Sequence, residues 1–252
     1  MNRTEKREKK QFNKKNLAWM IPLAVVIIFA VATYIYSNVY YRADESVALA
    51  LKSDENVTVT EEDFGWFFDG PSEGGKALIF YPGGKVDETA YAPMLRTIAE
   101  NAADVFLVKA PMKLAIFAYD KAGEIIRTHE YEHWFIAGHS LGGTAASFYA
   151  AENGKDLDAL ILLASYSTEE LPEGLKVLSV RGSEDGILNM KQYENCKKNL
   201  PDGAQEYVIE GGNHCGFGLY GHQRGDGEAL ISASEQSAVA AEQICKFIIN
   251  VG

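Results

Sequence analysis

Nearly continuous apolar segments alternate with amphipathic ones from residue 76 onward, and this alternation limits the folds open to the chain. KALIFYP (76–82), ADVFLVKAP (103–111) and HWFIAGH (133–139) are such apolar runs, whereas AYAPMLRTIAENA (90–102) places apolar residues three and four positions apart. Strands buried on both faces of a sheet read as apolar runs, and the parallel connections between them need helices. The sequence therefore predicts an α/β fold whose mostly parallel central sheet carries helices on both faces.

The remaining elements are predicted from the same pattern. VTVTEEDFGWFFDG (57–70) alternates as an edge hairpin does, and residues 37–56 are expected to form a tether with a short helix. Further strands are predicted at 157–165, 175–182 and 205–212, with NMKQYENCKKNL (189–200) between the last two, and further helices at 117–129 and 234–251.

The connection after the strand that ends at Ser165 is too short for a cap domain. About ten residues separate Ser165 from the strand starting near Leu175. We therefore expect residues 57–252 to form a domain with an open cleft, partly walled by the apolar loop PMKLAIFAY (111–119).

The chain begins with a basic stretch followed by an uncharged one. Residues 1–16 carry seven Lys/Arg and two acidic residues, and residues 17–36 carry no charge. At about 1.5 Å per residue the uncharged stretch spans roughly 30 Å, the thickness of a bilayer's hydrocarbon core. The sequence predicts a cytoplasmic tail (1–16) and a single transmembrane signal-anchor helix (17–36) in the cell membrane, with the domain outside the cytoplasm. The alternative is cleavage near Ala32, in the A-x-A-like FAVA, and secretion.

Charge and cysteine content exclude several kinds of partner. The chain after residue 36 holds 17 basic and 33 acidic residues, a net charge of −16. Nucleic-acid-binding surfaces need basic patches, so a nucleic-acid partner is not expected.

Cys196, Cys215 and Cys245 match no zinc spacing, and three core thiols are favoured over a single disulfide. No metal or organic cofactor is implied.

The segment FIAGHSLGG (135–143) contains the first candidate catalytic residue. Gly138-His139-Ser140-Leu141-Gly142 is a G-x-S-x-G sequence between a predicted strand and a predicted helix. In that setting the glycines permit a tight turn that lifts a serine hydroxyl above the sheet. The sequence predicts Ser140 as a nucleophile, against the simpler reading of a structural turn, with Gly138 and Gly142 as the elbow glycines.

A base and an acid are predicted on loops after two later strands. His214 follows the strand at 205–212 and can reach Ser140, with His222 as its rival; His139 is expected to pack beneath the turn. Asp185 follows the strand at 175–182 and is the predicted acid, with Glu184 as the fallback. The acid would fix the imidazole tautomer and stabilise the imidazolium. The order Ser, Asp, His along the chain is that of α/β hydrolases.

An oxyanion hole needs backbone N–H groups aimed at the developing negative charge. One is expected from Leu141, directly after the nucleophile. The other is expected from the loop after the strand at 76–82, through the amide of Gly84 or Lys85. A glycine turn required only by topology is the alternative for this loop.

The motifs together resemble the α/β-hydrolase superfamily, and most closely a small, lidless branch related to dienelactone hydrolases. IFYPGGKVDETAYAPMLRTIAE, AGHSLGG, LSVRGSEDG and EGGNHCGFGLYGHQRGDGEALISASEQ carry the resemblance, in that order, within residues 45–250. It implies Ser140 as nucleophile, Asp185 as acid and His214 as base. The segment GHQRGDGEA belongs to the resemblance and is expected to brace the histidine loop.

These observations predict a membrane-anchored, extracytoplasmic serine hydrolase that cleaves carboxylic esters of small molecules. A hydrolase fold can also serve as a non-catalytic binding module at the cell surface. The same triad could instead serve an acyltransferase or a peptidase, because one acyl-enzyme is common to all of them.

Overall fold

The computed structural model describes residues 14–71 and 75–251, so residues 1–13 of the predicted basic tail lie outside the described residues. The chain divides into two compact units, Met1–Val39 and Tyr40–Gly252. Residues 40–56, predicted as part of a tether, therefore belong to the same compact unit as the sheet.

The described part of the first unit is dominated by helix α1 (Lys14–Asn38). Its segment Trp19–Asn38 has a mean hydropathy of 2.2 and is long and apolar enough to cross a membrane. A signal sequence near the N-terminus has the same properties. The segment is therefore a candidate membrane anchor or signal sequence, and it extends two residues beyond the predicted end at residue 36.

The second unit is built on a sheet of eight strands among the described residues. The strands are β1 (Thr58–Glu62), β2 (Gly65–Asp69), β3 (Lys76–Tyr81), β4 (Asp104–Val108), β5 (His133–His139), β6 (Ala159–Leu163), β7 (Lys176–Gly182) and β8 (Gln205–Ile209). Their order across the sheet is β1-β2-β4-β3-β5-β6-β7-β8. β1 and β2 form an antiparallel edge hairpin, β2 pairs antiparallel with β4, and the other neighbours are parallel, as predicted.

Helices cover both faces of this sheet. They are α2 (Ala92–Asn101), α3 (Lys121–Thr128), α4 (Leu141–Asn153), α5 (Met190–Cys196) and α6 (Ala233–Val251). Leu78 and Phe80 of β3 face a buried apolar cluster shared with α2 and α6. Their neighbours Ala77 and Ile79 face a second cluster shared with α3 and α4, so β3 is buried on both sides.

Several predicted helices differ from the structure at their first turn. The helix predicted from residue 117 begins at Lys121, because Ala115–Ala118 forms a separate 3-10 turn. The short helix expected before the hairpin is the 3-10 turn Glu45–Leu49, where the Asp44 side chain accepts a hydrogen bond from the Ser46 amide. Residues 164–175 form no helix or strand, so no cap domain is inserted after β6.

The parallel strands bring four loops to one edge of the sheet. The loops that follow β3, β5, β7 and β8 all leave from carboxyl ends, where ligands bind in open α/β sheets. These loops carry the residues that the sequence predicts for the nucleophile, the acid, the base and the oxyanion hole.

Candidate active site

The turn between β5 and α4 holds Ser140 in a backbone conformation that few non-glycine residues adopt, with φ 52° and ψ −120°. Such a conformation costs about 1–3 kcal/mol and persists only where the surroundings impose it. A Cβ at Gly138 would lie 2.3 Å from the Gly142 carbonyl, and one at Gly142 would lie 2.2 Å from the Tyr81 carbonyl oxygen. Both predicted elbow glycines therefore lie where only glycine fits.

Hydrogen bonds to the neighbouring strand fix the strained turn. The Ser140 amide donates to the Leu163 carbonyl at 2.9 Å. The Ser165 hydroxyl donates to the Ser140 carbonyl at 2.8 Å. The serine backbone is thus bonded on both sides to the end of β6 and the residues after it.

His214 and Asp185 meet on the loops after β8 and β7. His214 Nδ1 lies 2.9 Å from Asp185 Oδ2, and each side chain is 2% exposed. An ionised carboxylate only accepts, so Nδ1 donates and Nε2 carries the lone pair. Asp185 Oδ1 accepts hydrogen bonds from the amides of Ile187 and Leu188 at 2.9 and 2.8 Å, which fixes the orientation of the carboxylate.

The other imidazole nitrogen, Nε2, belongs to a residue that lines a cleft. His214 Nε2 is buried and has no hydrogen-bond partner among the described residues. An unpaired buried polar atom costs about 1–3 kcal/mol, and folded proteins contain few of them. Ser140 and His214 line the same cleft, which has a volume of about 240 Å³. The structure thus brings Ser140 and His214 to one cleft and joins His214 to Asp185.

Three short segments line this cleft besides the serine and the histidine. They are Leu141 and Thr144 of α4, residues 164–166 after β6, and residues 187–189 after β7. The loop 111–119 is not among them; its Ile116 and Tyr119 line a neighbouring groove. Ile187 and Leu188 line the cleft, and their amides donate to Asp185 Oδ1.

The loop after β3 lies against the residue that follows the nucleophile. A Cβ at Gly84 would lie 3.0 Å from Leu141 Cδ2, so the Gly84 backbone approaches Leu141 closely. The Leu141 amide lies in the first turn of α4, where helix N–H groups have no intrahelical acceptor. These two stretches of backbone form the candidate oxyanion hole.

Only one amide of this loop remains available to a substrate. The Gly83 amide donates to the Tyr91 hydroxyl at 3.1 Å, and the Lys85 amide donates to the Lys113 carbonyl at 2.7 Å. The Gly84 amide has no acceptor among the described residues. Of the two predicted alternatives, the Lys85 amide is already engaged, which leaves the Gly84 amide as the candidate second donor.

Comparison with known proteins agrees with the fold. Residues 77–238 match the model of the Alpha/beta hydrolase family. The chain belongs to the α/β-hydrolase family. No curated protein sequence matches it. The relation to dienelactone hydrolases within the family remains a prediction.

Solved structures similar to this hydrolase share its fold at low sequence identity. A hyperthermophilic esterase from the archaeon Pyrobaculum calidifontis is 16% identical, with a TM-score of 0.58, over 91% of this chain and 94% of its own. A membrane phospholipase A described as a bacterial virulence factor is 13% identical, with a TM-score of 0.56, over 94% and 97%. Est1E from Butyrivibrio proteoclasticus is 14% identical, with a TM-score of 0.52, over 78% and 100%.

His139 links two loops of the site. One is the loop after β8 that carries His214 (the base loop), and the other is the loop after β3 that carries Gly83 and Gly84 (the oxyanion loop). Its Nε2 lies 3.0 Å from the His214 carbonyl oxygen and its Nδ1 lies 2.8 Å from the Tyr91 hydroxyl. A carbonyl only accepts, so Nε2 carries the proton and Nδ1 accepts from Tyr91, which in turn accepts from the Gly83 amide. Burial, and then the neighbouring His214, hold the pKa of His139 well below its usual range, so the ring stays neutral. The predicted place of His139 beneath the turn agrees with this geometry.

A buried ion pair ties the loop at 111–113 to the oxyanion loop. The Lys113 ammonium is paired with the Glu88 carboxylate and lies 3.4 Å from Asp87 Oδ1, and its side chain is 18% exposed against 4% for Glu88. Burial acts to lower the pKa of Lys113, and the hydrogen bond and charge of Glu88 outweigh it and raise that pKa. Because the Lys113 carbonyl accepts from the Lys85 amide, the pair also fixes the loop after β3.

Backbone strain is concentrated around this site. The non-glycine residues with left-handed φ among those described are Lys85, Met112, Lys113, Ser140 and Ala164. Ser140 and Ala164 line the cleft, and the other three lie in the two loops that meet at the candidate oxyanion hole. Such strain is typical of sites whose geometry is imposed by function.

The alternative candidates from the sequence lie outside this arrangement. The Glu184 carboxylate accepts from the Ser183 hydroxyl at 2.9 Å, and His222 is exposed and does not line the cleft. The three cysteines are free thiols; Cys215 and Cys245 are buried, and Cys196 is half-buried.

Sequence reasoning missed the roles of Tyr91 and Lys113, which hold the loops rather than face the cleft. Tyr91 lies within the motif at 79–100 and Lys113 within the apolar loop 111–119, and neither pattern singles them out. Asp226 lies in GHQRGDGEA, the segment expected to brace the histidine loop, and its carboxylate accepts from the His214 and Cys215 amides.

Proposed function

We propose that this hydrolase is a membrane-anchored, extracytoplasmic serine esterase that cleaves carboxylic esters through an acyl-enzyme on Ser140. The observation that carries the proposal is that His214 lines the same cleft as Ser140, with its Nδ1 bound to Asp185 and its buried Nε2 unpartnered among the described residues. That is the arrangement a general base needs beside a serine nucleophile.

The chemistry follows from these positions. His214 Nε2 takes the proton of the Ser140 hydroxyl as the serine oxygen attacks the ester carbonyl carbon, and the Leu141 and Gly84 amides donate to the resulting oxyanion. Collapse of this intermediate breaks the ester C–O bond, and the imidazolium returns the proton to the departing alcohol. Water then attacks the acyl-enzyme with His214 again as base, which releases the carboxylic acid and the free serine.

The size of the cleft supports a short acyl group. Pockets for drug-sized ligands are about 300–1,000 Å³, whereas the cleft at Ser140 is about 240 Å³ and no cap domain encloses it. We therefore expect kcat/KM to be higher for p-nitrophenyl acetate or butyrate than for the decanoate ester.

The anchor part of the proposal is supported by the apolar segment Trp19–Asn38 and by the seven basic residues before it. Basic residues flanking an apolar helix stay on the cytoplasmic side, which would place the hydrolase unit outside. A cell-impermeant probe for active serine hydrolases can therefore test location and chemistry together.

The test is fluorophosphonate labelling of the full chain in intact cells, with ester turnover of the purified protein in detergent. The wild type is expected to be labelled in intact cells, and Ser140→Ala to lose the label and at least about 10,000-fold of kcat. Ser167→Ala, which alters a buried serine that donates to the Glu169 carbonyl and does not line the cleft, is the matched control and should keep the label.

Three results would each overturn a part of the proposal. Labelling that persists in Ser140→Ala would remove the assigned nucleophile. Labelling of lysates but not of intact cells would reject the extracytoplasmic location. Equal ester turnover by wild type and a Ser140/His214 double variant would favour a non-catalytic binding module.

A further inference from the structure

The loop between β8 and α6 places the Asp226 carboxylate against both the loop of Asp185 and the loop of His214. Asp226 Oδ1 accepts hydrogen bonds from the amides of Gly186 and His214, each at 3.1 Å, and from its neighbour Gly227 at 2.8 Å. Asp226 Oδ2 accepts from the Cys215 amide at 2.8 Å. Gly186 directly follows the acid, and Cys215 directly follows the base, so one side chain bridges the two loops.

The backbone around Asp226 packs directly on the acid loop. A Cβ at Gly186 would lie 2.6 Å from the Gly227 amide nitrogen, and a Cβ at Gly227 would lie 1.9 Å from the Glu184 carbonyl oxygen. The Asn213 side chain also donates to the Gly227 carbonyl at 2.9 Å, from the base loop. The turn at 225–227 is therefore fitted between the acid loop and the base loop, and only glycine at 186 and 227 allows that approach.

The carboxylate is held in its charged form. Burial acts to raise the pKa of Asp226, and the hydrogen bonds from Cys215, Gly186 and His214 outweigh it and leave the pKa below its ordinary value. A charged acceptor forms stronger hydrogen bonds to amides than a neutral one does. Asp226 therefore offers both of its oxygens as acceptors, which an asparagine cannot do.

We propose that Asp226 is a positioning residue, which ties the loop of Asp185 to the loop of His214 and so maintains the contact between carboxylate and imidazole. The inference rests on the proposed function, because it assigns to Asp226 the geometry of that same triad. Asp226 does not line the cleft, so its effect on the reaction passes through His214 and Asp185.

Substitution of Asp226 is therefore expected to lower the rate of catalysis without weakening substrate binding. In Asp226→Asn one oxygen becomes an NH₂ group, which faces an amide N–H and repels it. A displacement of about 1 Å at a catalytic group can cost about 100-fold in rate. We expect kcat to fall about 100-fold while KM is little changed, since the residues that line the cleft remain.

The experiment compares Asp226→Asn with Asp104→Asn in the full chain. Asp104 is a matched control: it is a buried carboxylate that accepts from the Gly70 amide and the Tyr131 hydroxyl, at the amino-terminal end of β4. Both variants are expected to lower the melting temperature. Only Asp226→Asn is expected to lower kcat and to shift or abolish the far-downfield proton resonance of the His214–Asp185 hydrogen bond.

A second variant keeps the proposal testable if Asp226→Asn does not fold. Gly186→Ala leaves the carboxylate in place but separates the two loops, and it is expected to reproduce the loss of kcat and the shift of the resonance. An unchanged resonance and kcat in a folded Asp226→Asn or Gly186→Ala would overturn the inference, and so would an equal loss of kcat in Asp104→Asn. Absence of ester turnover in the wild type would instead refute the proposed function, and the resonance would still report on Asp226.

Discussion

The two sides of the candidate site are held together in different ways. On the acid–base side, the loops after the adjacent strands β7 and β8 lie next to each other, and one carboxylate, Asp226, accepts hydrogen bonds from both. On the oxyanion side, the loop after β3 is held from three separate segments. Tyr91 accepts from the Gly83 amide, the Lys113 carbonyl accepts from the Lys85 amide, and the Lys85 carbonyl accepts from the Tyr41 amide.

The acid–base side thus contains one charged group that both of its loops share, whereas the oxyanion side is held by three contacts from distant segments. Loss of a single group on the acid–base side should therefore damage catalysis directly. Loss of a single contact on the oxyanion side should reduce the free energy of unfolding first and catalysis second. The loop after β3 contains the strained residue Lys85, with φ 60°, which makes its shape dependent on those contacts.

The largest effect is expected on the acid–base side, from Asp185→Asn. An amide cannot hold the proton on Nδ1 of His214, so the ring adopts the tautomer whose Nε2 is protonated and cannot act as a base. We expect kcat to fall about 10,000-fold, with little change in melting temperature. Steady-state ester kinetics measure it, and Glu184→Gln, which changes the neighbouring acid, should leave kcat unaffected. A loss under tenfold in Asp185→Asn would mean that another group orients His214.

The same contrast explains what the sequence could predict. Ser140 directly follows β5, and Asp185 and His214 lie on the loops after β7 and β8, at the edge that the carboxyl ends of parallel strands share. Their position at this edge was therefore predictable from the strand pattern and the order along the chain. The choice between Gly84 and Lys85 was not, because it depends on the Lys113 carbonyl, which belongs to a strained loop 28 residues further along the chain.

An intermediate effect is expected from Lys113→Met on the oxyanion side. The substitution leaves the Glu88 carboxylate buried, with its side chain 4% exposed and without its cation. Breaking a buried ion pair in this way costs about 3–5 kcal/mol in the free energy of unfolding. Chemical denaturation measures the loss, and Lys121→Met, which removes an exposed pair with Glu124, should cost less than about 1 kcal/mol.

The outcome of Lys113→Met also tests whether the two sides differ as described. We expect its residual kcat under stabilising conditions to exceed that of Asp185→Asn by a wide margin, because no group that touches the substrate is lost. If Lys113→Met lost as much kcat as Asp185→Asn while remaining fully folded, the oxyanion side would depend on a single group as well.

The smallest effect is expected from Tyr91→Phe, which removes the hydroxyl that joins the two sides. Without it the Gly83 amide and His139 Nδ1 lose their partner, and unsatisfied buried groups cost about 1–3 kcal/mol. Tyr193→Phe is the matched control, since its buried hydroxyl contacts Ser179 and Glu206 away from the cleft. Both variants should lose similar stability by denaturation. Because the Tyr91 hydroxyl also fixes the ring of His139, which donates to the His214 carbonyl, only Tyr91→Phe should lower kcat as well. Equal kcat in the two variants would show that the oxyanion loop and the base loop are positioned independently.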